Sequence, residues 1–384
     1  MKSGWVEGKL VDFVEEFIVP QRDKPKVFSG TIPWCRIEDI EGVYLSESKS
    51  GKTVTEQAVK EMPLRVFPKD TVLVSCSADL GRCAIAAQPL VTNQTFIGLV
   101  PKRTITSQYL YYLMTSRAAE LNDAATGATI KYLSQDKFKA LKVAVPSISE
   151  QQRIVTKLDA AFGALREAEG HVERNRANAR ELFESYLNGV FEGKEGWEET
   201  TLGEIGKVCM CKRILKEQTT STGDIPFYKI GTFGKEPDAY IPKEIYEEFK
   251  RKYSFPKMGD VLISASGTIG RGVVYDGEPA YFQDSNIVWI DNNEEQVLNE
   301  YLFQFYKVCD WSPTKGATIS RLYNDDLRKV RIAFPSLQEQ RKLVAQMVEL
   351  DAQTQALEAT YQQKLRELEG LKKGLLGAAF RGEL

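Results

Sequence analysis

An internal duplication constrains this chain more than any other feature. Gly-Ala-Thr-Ile at residues 127–130 recurs at residues 316–319, and Val-Ala-Val-Pro-Ser at residues 143–147 is matched by Ile-Ala-Phe-Pro-Ser at residues 332–336. Both pairs are 189 positions apart, whereas the matches near the start of each half are 192 positions apart. Matches at a nearly constant spacing indicate two copies of one structural unit that differ by small insertions.

The first three quarters of each copy have the pattern of a globule with short strands. Glycine, proline, threonine and aromatic residues are frequent there, and short β-type runs are bounded by turn residues. A short helix is predicted over residues 107–121, and residues 298–308 match it. The clearest strands are predicted at residues 72–75, 84–87, 142–145, 261–264, 273–275 and 287–290.

The last quarter of each copy predicts one long helix. The first of these segments, residues 147–191, contains no proline, and apolar residues recur every three or four positions. Both helix starts carry Ser-x-x-Glu after a proline, a capping box in which the serine hydroxyl accepts from an amide and the glutamate reaches back. About 44 residues at ~1.5 Å each give a length of about 65 Å. The apolar positions are Leu158, Phe162, Leu165, Ala168, Val172, Ala179, Leu182, Tyr186 and Val190, then Met347, Leu350, Leu357, Tyr361, Leu365, Leu368, Leu371 and Leu375.

A helix of this length with a narrow apolar stripe needs a partner. We predict an α/β (α+β) fold of two tandem, mostly-β/α globules, each followed by a long helix. The two helices pair as an antiparallel coiled coil with pseudo-twofold symmetry, which places the globules at opposite ends of a helical rod. The alternative is that each helix folds back on its own globule. The predicted domains are residues 1–146, 147–195, 196–335 and 336–384.

The composition is that of a globular chain with sizeable cores. Hydrophobic residues make up 42% and charged residues 27% of its 384 residues. No apolar run approaches the ~20 residues of a membrane-spanning helix. The first 17 residues contain Asp12, Glu15 and Glu16, so they do not form a signal peptide. We therefore expect a cytoplasmic protein.

Motifs that would carry catalysis or bind a metal are incomplete. His171, the one histidine, lies within the first long helix, and the C-x-C at residues 209–211 has no second pair for zinc. Ser-Gly-Lys-Thr at residues 50–53 resembles the end of a P-loop but has Ser46 where the first glycine is required. No Asp-Pro-Pro-Tyr or Asn-Pro-Pro-Tyr loop of an amino-methyltransferase is present. We expect a binding protein that is not an enzyme and holds no metal or cofactor.

The order of the repeated motifs resembles one family over essentially the whole chain. Ile-Pro-Trp-Cys-Arg-Ile at residues 32–37 and Ile-Pro-Phe-Tyr-Lys-Ile at residues 225–230 look like its early strand. Residues 260–271 look like its strand and following loop, although the first copy reads Ser-Ala-Asp-Leu-Gly-Arg where the second reads Ser-Gly-Thr-Ile-Gly-Arg. Both copies reach the helix through Pro-Ser-x-x-Glu-Gln. The chain resembles the DNA specificity subunits of type I restriction–modification systems.

This resemblance implies a function in a larger complex. Each globule would read one half of a bipartite, asymmetric target in double-stranded DNA, and the helices would fix the spacer between the halves. Two methyltransferase subunits would dock on the helices and modify adenine, and restriction/translocase subunits would complete the nuclease. AdoMet, ATP and Mg²⁺ would then belong to the partner subunits. Equivalent sites one helical turn of DNA apart, about 34–36 Å, fit within a rod of about 65 Å.

The candidate DNA-binding residues are basic or hydroxyl side chains at loop positions, most of which recur in both copies. Arginine and lysine read guanine most often, and serine and threonine accept or donate to several bases. For any single residue the alternative is a solvated surface charge or a turn hydroxyl. The candidates are Arg22, Arg36, Ser75, Arg82, Thr129, Lys131, Lys212, Arg213, Lys229, Ser264, Arg271, Thr318 and Arg321, with Gln21 and Lys24 beside Arg22.

Two other functions remain open from the sequence. The first is a duplicated protein-interaction adaptor without DNA binding, and it is favoured by the net charge of −2, from 51 basic and 53 acidic residues. DNA-binding domains are often strongly basic, although a basic face can lie on an acidic protein. The second is a self-contained nuclease or methyltransferase whose scattered carboxylates form an acid pair that no spacing reveals.

Overall fold

The fold is known from a computed structural model that describes residues 4–20, 25–77, 79–126, 132–311, 314–315 and 320–384. Its contacts divide the chain into two compact units. The first unit comprises residues 1–172 and 363–384, and the second comprises residues 173–362. Each unit therefore contains one globule, the beginning of one long helix and the end of the other.

The first unit consists of short strands and helices in alternation. Its strands are β1 Val6–Lys9, β2 Val14–Ile18, β3 Ile32–Cys35, β4 Tyr44–Leu45, β5 Thr53–Val54, β6 Val66–Phe67, β7 Val72–Ser75, β8 Cys83–Ala86, β9 Leu90–Thr92, β10 Phe96–Pro101 and β11 Lys142–Val145. Its helices are α1 Leu10–Phe13, α2 Glu56–Glu61, α3 Ser107–Ser116, α4 Ala118–Ala124, α5 Gln135–Ala140 and the beginning of α6 Ile148–Phe191. The strands form a five-stranded sheet in the order β2-β10-β7-β8-β4, a four-stranded sheet in the order β5-β3-β9-β6 and the pair β1-β11.

The second unit repeats this plan with local differences. Its strands are β12 Glu198–Thr201, β13 Gly206–Cys209, β14 Ile225–Tyr228, β15 Tyr240–Ile241, β16 Val261–Ser264, β17 Gly272–Val274, β18 Tyr281–Phe282, β19 Ile287–Asn292, β20 Thr314–Lys315, β21 Ser320–Arg321 and β22 Arg331–Phe334. Its helices are α7 Leu202–Ile205, α8 Lys243–Lys252, α9 Asn299–Tyr306, α10 Asn324–Lys329 and the beginning of α11 Leu337–Arg381. The sheets run β13-β19-β16-β17 and β15-β14-β18, with the pairs β12-β22 and β20-β21.

The central strand of each globule is buried on both faces. In β16, Val261 and Ile263 pack into the core shared with α9, whereas Leu262 points into a second core beneath β14 and β18. Strand β7 divides its side chains between two cores in the same way. Side chains alternate between the faces of a strand, so a strand covered on both sides needs a continuous apolar run. The predicted strand bounds at 72–75, 142–145 and 261–264 are confirmed.

A buried glutamine fixes the start of each long helix. In the second unit the Gln340 side chain accepts from the Leu298 amide at 2.9 Å and donates to the carbonyls of Gln296 and Pro335 at 2.7 and 2.8 Å. Gln151 makes the equivalent three bonds in the first unit, and both side chains are 0% exposed. A buried amide must satisfy its donors and acceptor, so this socket explains the last residue of Pro-Ser-x-x-Glu-Gln. The serines of the predicted capping boxes, Ser147 and Ser336, accept from the amide three residues on at 3.4 Å.

The long helices pair antiparallel within each unit, as predicted. In the first unit Glu169 of α6 contacts Lys372 of α11 at 2.6 Å, and Arg153 donates to the Leu384 carbonyl at 2.6 Å. Residue numbers therefore rise along one helix as they fall along the other. In the second unit the same direction is given by Arg176–Gln362, Arg180–Glu358 and Tyr186–Gln346.

Packing against the globules moves the buried helix face away from part of the predicted stripe. Leu182, Leu357 and Leu371 were predicted in the seam but are 69%, 41% and 51% exposed. In their place Phe183 and Leu187 are buried, in a core that also contains residues of α9. A buried leucine contributes about 1.5–3 kcal/mol, so contact with the globule determines which face turns inward.

Five element predictions differ from the structure by small amounts. The strand predicted at 84–87 is β8, Cys83–Ala86, the strand predicted at 287–290 is β19, which extends to Asn292, and the helix predicted over 298–308 is α9, Asn299–Tyr306. The helix predicted over residues 107–121 is two helices, α3 and α4, because the backbone leaves helical geometry at Arg117. The strand predicted at 273–275 is β17, which begins one residue earlier and ends at Val274. Within the described residues, no helix is both long enough and apolar enough to span a membrane.

Candidate nucleic-acid interface

One loop of the second globule joins four other segments of the chain. The hub loop, residues 283–286 between β18 and β19, contacts a different segment through each of its residues. The side-chain oxygen of Gln283 accepts from the backbone amide of Ile230 at 2.9 Å, and the backbone amide of Gln283 donates to the Tyr228 carbonyl. Asn286 accepts from the Ser266 hydroxyl at 2.9 Å and from the Ala265 amide at 2.8 Å. The loops after β14 and β16 are therefore held at one edge of the globule.

The middle of the hub loop holds two predicted arginines. Arg213 donates through Nε to Asp284 at 2.9 Å, and Arg321 donates through a terminal nitrogen to the Ser285 carbonyl at 2.8 Å. Ser285 has a φ of +53°, in the left-handed region that few residues other than glycine adopt. Backbone strain of this kind is retained where surrounding contacts hold it.

Aromatic rings lie beside the cations of this surface. The Lys212 ammonium lies 5.2 Å from the centre of the Tyr253 ring, and the Arg321 guanidinium lies 5.9 Å from that of Tyr323. Both tyrosines are exposed, at 43% and 52%. A cavity of about 420 Å³ opens beside Ser285 and Arg321. The structure thus brings Arg213 and Arg321 together at the hub loop, and an exposed ring lies beside Arg321 and beside Lys212, the sequence neighbour of Arg213.

A second pair of predicted arginines anchors loops in both globules. Arg271 donates to the Phe233 carbonyl at 2.9 Å, and Arg82 donates to the Ile40 carbonyl at 2.6 Å. Arg82 also contacts Asp79 at 3.3 Å. Because the same carbonyl anchor occurs twice, it belongs to the shared scaffold, and only the remaining donors of these guanidinium groups are available for DNA.

The two predicted serines are buried. Ser75 and Ser264 are 0% and 2% exposed, and their hydroxyls donate to the carbonyls of Ser77 and Thr268 within the following loop. Ser264 also accepts from the Arg271 amide at 2.9 Å. A direct contact with DNA would require these turns to open, so the geometry gives both hydroxyls a structural role.

Arg36 and Lys229 follow equivalent strands and are half exposed. Arg36 contacts Glu38 at 2.8 Å, and Lys229 contacts Asp238 at 2.8 Å. In the first globule Arg36 lies 5.7 Å from the centre of the Trp34 ring, and Lys52 lies 5.9 Å from it. Lys52 was missed as a candidate because it occurs in the incomplete P-loop pattern, and no local signal placed it beside Trp34.

Asp284 and Asp39 were also missed. The Asp39 carboxylate is buried and accepts from the amides of Arg36 and Lys49 at 2.6 and 2.9 Å, which ties two loops of the first globule together. Acidic residues are not expected at a DNA surface, so only their contacts identify them. Arg22, Thr129, Lys131 and Thr318, with Gln21 and Lys24, lie outside the described residues, and a role in DNA contact stays a prediction for all of the candidates.

The two cysteines of the C-x-C pattern are buried, and the histidine lies on an exposed face of the first long helix. Burial raises the pKa of Cys211 to about 12 and also raises the pKa of Cys209, so both thiols stay protonated at neutral pH. His171 is exposed and lies 3.7 Å from Glu167 on the same helix. Within the part of the chain that the structure describes, no three or more His, Cys, Asp or Glu side chains are grouped to hold a metal ion.

Comparison with known proteins agrees with this architecture. The chain matches the type I restriction modification DNA specificity domain twice, over residues 2–170 and 194–367. These matches cover most of the chain and fall one on each copy of the duplication. The chain belongs to the family of type I restriction–modification DNA specificity subunits, which are non-catalytic parts of their complexes.

Individual relatives carry the same description. The chain is 44% identical over 260 residues to a Haemophilus influenzae protein named as a type I restriction enzyme specificity subunit, covering 67% of each chain. It is 29% identical to the MjaIX specificity subunit of Methanocaldococcus jannaschii, covering 82% of this chain and 79% of that one.

Solved structures share the fold. A chain from a study of complex assembly and conformational transition of the type I system has a TM-score of 0.79 at 21% identity, covering 100% of this chain and 99% of that one. The HsdS subunit of Thermoanaerobacter tengcongensis has a TM-score of 0.60 at 19% identity, covering 100% and 98%.

Proposed function

We propose that this chain reads a bipartite, asymmetric sequence in double-stranded DNA, one half through each globule, for a type I restriction–modification complex. One observation carries the proposal: a duplicated scaffold presents different side chains at equivalent loops. The socket glutamines and the arginine–carbonyl anchors are the same in both units, whereas the hub loop of the second globule, Gln-Asp-Ser-Asn, corresponds to Asn-Gln-Thr at residues 93–95 of the first globule. One scaffold with two sets of loop residues fits two different half-sites.

The catalytic steps belong to the partner subunits in this proposal. Methyltransferase subunits dock on the long helices and bring AdoMet, and restriction/translocase subunits bring ATP and Mg²⁺. The antiparallel helices set the number of unread base pairs between the half-sites. This chain itself contributes recognition and binds no cofactor.

The net charge of −2 is compatible with DNA binding because the cations are concentrated locally. Arg213 and Arg321 both donate to the hub loop, and exposed tyrosines lie beside Arg321 and beside Lys212, which precedes Arg213 in the sequence. The protein-interaction adaptor is less favoured, because it gives no reason for basic side chains and rings at this one edge.

Adenine methylation across the genome of a host that lacks its own adenine methylation tests the proposal. The chain is expressed with its neighbouring methyltransferase subunit, and the control expresses the methyltransferase alone. We expect a bipartite motif that is methylated only when both are present. Methylation that is absent with this chain, but present when the same methyltransferase is supplied with another specificity subunit, would contradict the proposal and favour the adaptor.

A further inference from the structure

In the ion pair between Arg213 and Asp284, a largely buried carboxylate holds an exposed guanidinium group. The Asp284 side chain is 17% exposed and is held in the hub loop, whereas the Arg213 side chain is 68% exposed. The carboxylate accepts from Nε at 2.9 Å, which restrains the plane of the guanidinium group. The two terminal nitrogens have the spacing that matches O6 and N7 of guanine in the major groove.

A base edge suits this pair better than a phosphate does. A carboxylate 2.9 Å from the guanidinium offsets its charge and weakens its attraction to an anion. A guanine edge is uncharged and depends on two directed hydrogen bonds, which a fixed plane favours. The carboxylate therefore lowers the contribution of Arg213 to general affinity and raises its contribution to selectivity.

The first globule lacks this carboxylate. Strand registers align Thr92 with Phe282 and Phe96 with Ile287, because their partner strands β3, β14, β7 and β16 are equivalent. Three residues, 93–95, therefore stand where the second globule has the four residues of the hub loop. They read Asn-Gln-Thr, and the Thr95 hydroxyl donates to the Asn93 side chain at 2.6 Å. The equivalent loops thus differ in length and charge, whereas the Cys76 and Ala265 amides that hold them make the same bond.

We propose that Arg213 and Asp284 form a guanine-reading subsite of the second globule, in which Arg213 contacts the base and Asp284 is a positioning residue. This inference rests on the proposed DNA-reading function. It assigns one G·C base pair of the second half-site to one named side chain. Arg321, which donates to the same hub loop, and Lys212, the sequence neighbour of Arg213, have no acidic partner among the described residues, and they supply contacts to the phosphate backbone.

The test uses the complex of this chain with its methyltransferase. Binding is measured by fluorescence anisotropy on a duplex carrying the methylated motif, on duplexes with each base pair of the second half replaced, and on a duplex without the motif. Arg213→Lys keeps the charge but loses the two-point contact. We expect the wild-type complex to prefer guanine at one position by about 5- to 150-fold. The R213K complex should retain less than about a third of that preference while binding the motif-free duplex as before.

The variant Asp284→Asn distinguishes a role of Asp284 in orienting Arg213 from a role in the stability of the globule. D284N should reduce the preference at the same base pair and leave the other positions unchanged. It should also steepen the dependence of log Kd on log salt by up to about one, because a negative charge beside the DNA is removed. The unfolding midpoints of both variants should match that of the wild type. If the loss of selectivity came only from a damaged structure, the midpoints would fall as well.

The matched control is a second exposed ion pair of the same unit. Arg331 contacts Glu199 through Nε at 2.7 Å and is 70% exposed, but it lies on β22, which pairs with β12 and not with the strands that flank the hub loop. R331K and E199Q should change no base preference. The proposed subsite is wrong if R213K leaves the base preference unchanged or relaxes the preference at several positions equally. It is also wrong if R213A weakens binding to the motif and to the motif-free duplex alike, with a salt slope lower by about 0.9, because that result identifies a phosphate contact. A wild-type complex without any motif preference would instead refute the proposed DNA-reading function.

Discussion

Replacement of Gln340 by leucine tests how the second globule is fastened to its helix. The change keeps the approximate volume of the side chain but leaves the Leu298 amide and the carbonyls of Gln296 and Pro335 without this partner. A buried polar group left unsatisfied costs about 1–3 kcal/mol. The three groups are partly buried, so we take about 1 kcal/mol each, or about 3 kcal/mol in total. New apolar contacts of the leucine reduce the loss to about 2 kcal/mol.

Urea unfolding combined with hydrogen exchange measures this loss. Gln340→Leu should lower the unfolding free energy of the second unit by about 2 kcal/mol and should speed exchange of the Leu298 amide. The matched control is Gln353→Leu on the same helix, where the side chain is exposed and contacts only Glu349 among the bonds described. This control should stay within about 0.5 kcal/mol of the wild type. If Q340L is as stable as Q353L and the Leu298 amide stays protected, the socket does not hold the globule.

Two further outcomes follow from the geometry. In urea unfolding, Gly270→Ala should destabilise the second unit by more than Gly259→Ala does. Both glycines have a positive φ, but only a Cβ at Gly270 would lie 2.0 Å from Trp311. Equal losses of unfolding free energy would mean that Trp311 moves aside easily. Burial raises the pKa of the Cys76 and Cys83 thiols from 9.0 to about 12, so their protonated form is favoured in the folded state. Stability from this source is complete below about pH 9 and should fall as pH rises toward 12 in a pH series of unfolding midpoints; substitution of both cysteines by alanine should flatten that decline, and an unchanged slope would contradict it.

The duplication made much of the fold predictable. Repeated motifs located both globules, and the proline followed by Ser-x-x-Glu located both helix starts to within about one residue. These signals are local, because caps and strand alternation depend on residues close in sequence. Leu182 was placed wrongly for a non-local reason, since the globule competes with the partner helix for the same helical face.

The candidate interface was less predictable than the fold. Arg213 and Arg321 were proposed from residue type and position, but their shared attachment to the hub loop joins segments more than 30 positions apart. Asp284 carries no sign of its role until the structure places it beside Arg213. Ser75 and Ser264 show why residue type alone is a weak guide, because a repeated hydroxyl at a loop can serve the turn itself, and their contact with DNA stays a prediction.

Adenine-methylation mapping of two single variants tests most directly whether each globule reads its own half-site. Arg36→Ala changes the first globule, and Arg213→Ala changes the second. We predict that each variant relaxes or alters base preference in one half of the methylated motif, that the two affected halves differ, and that the spacer length stays the same. Changes by both variants in the same half, or in both halves at once, would contradict the account.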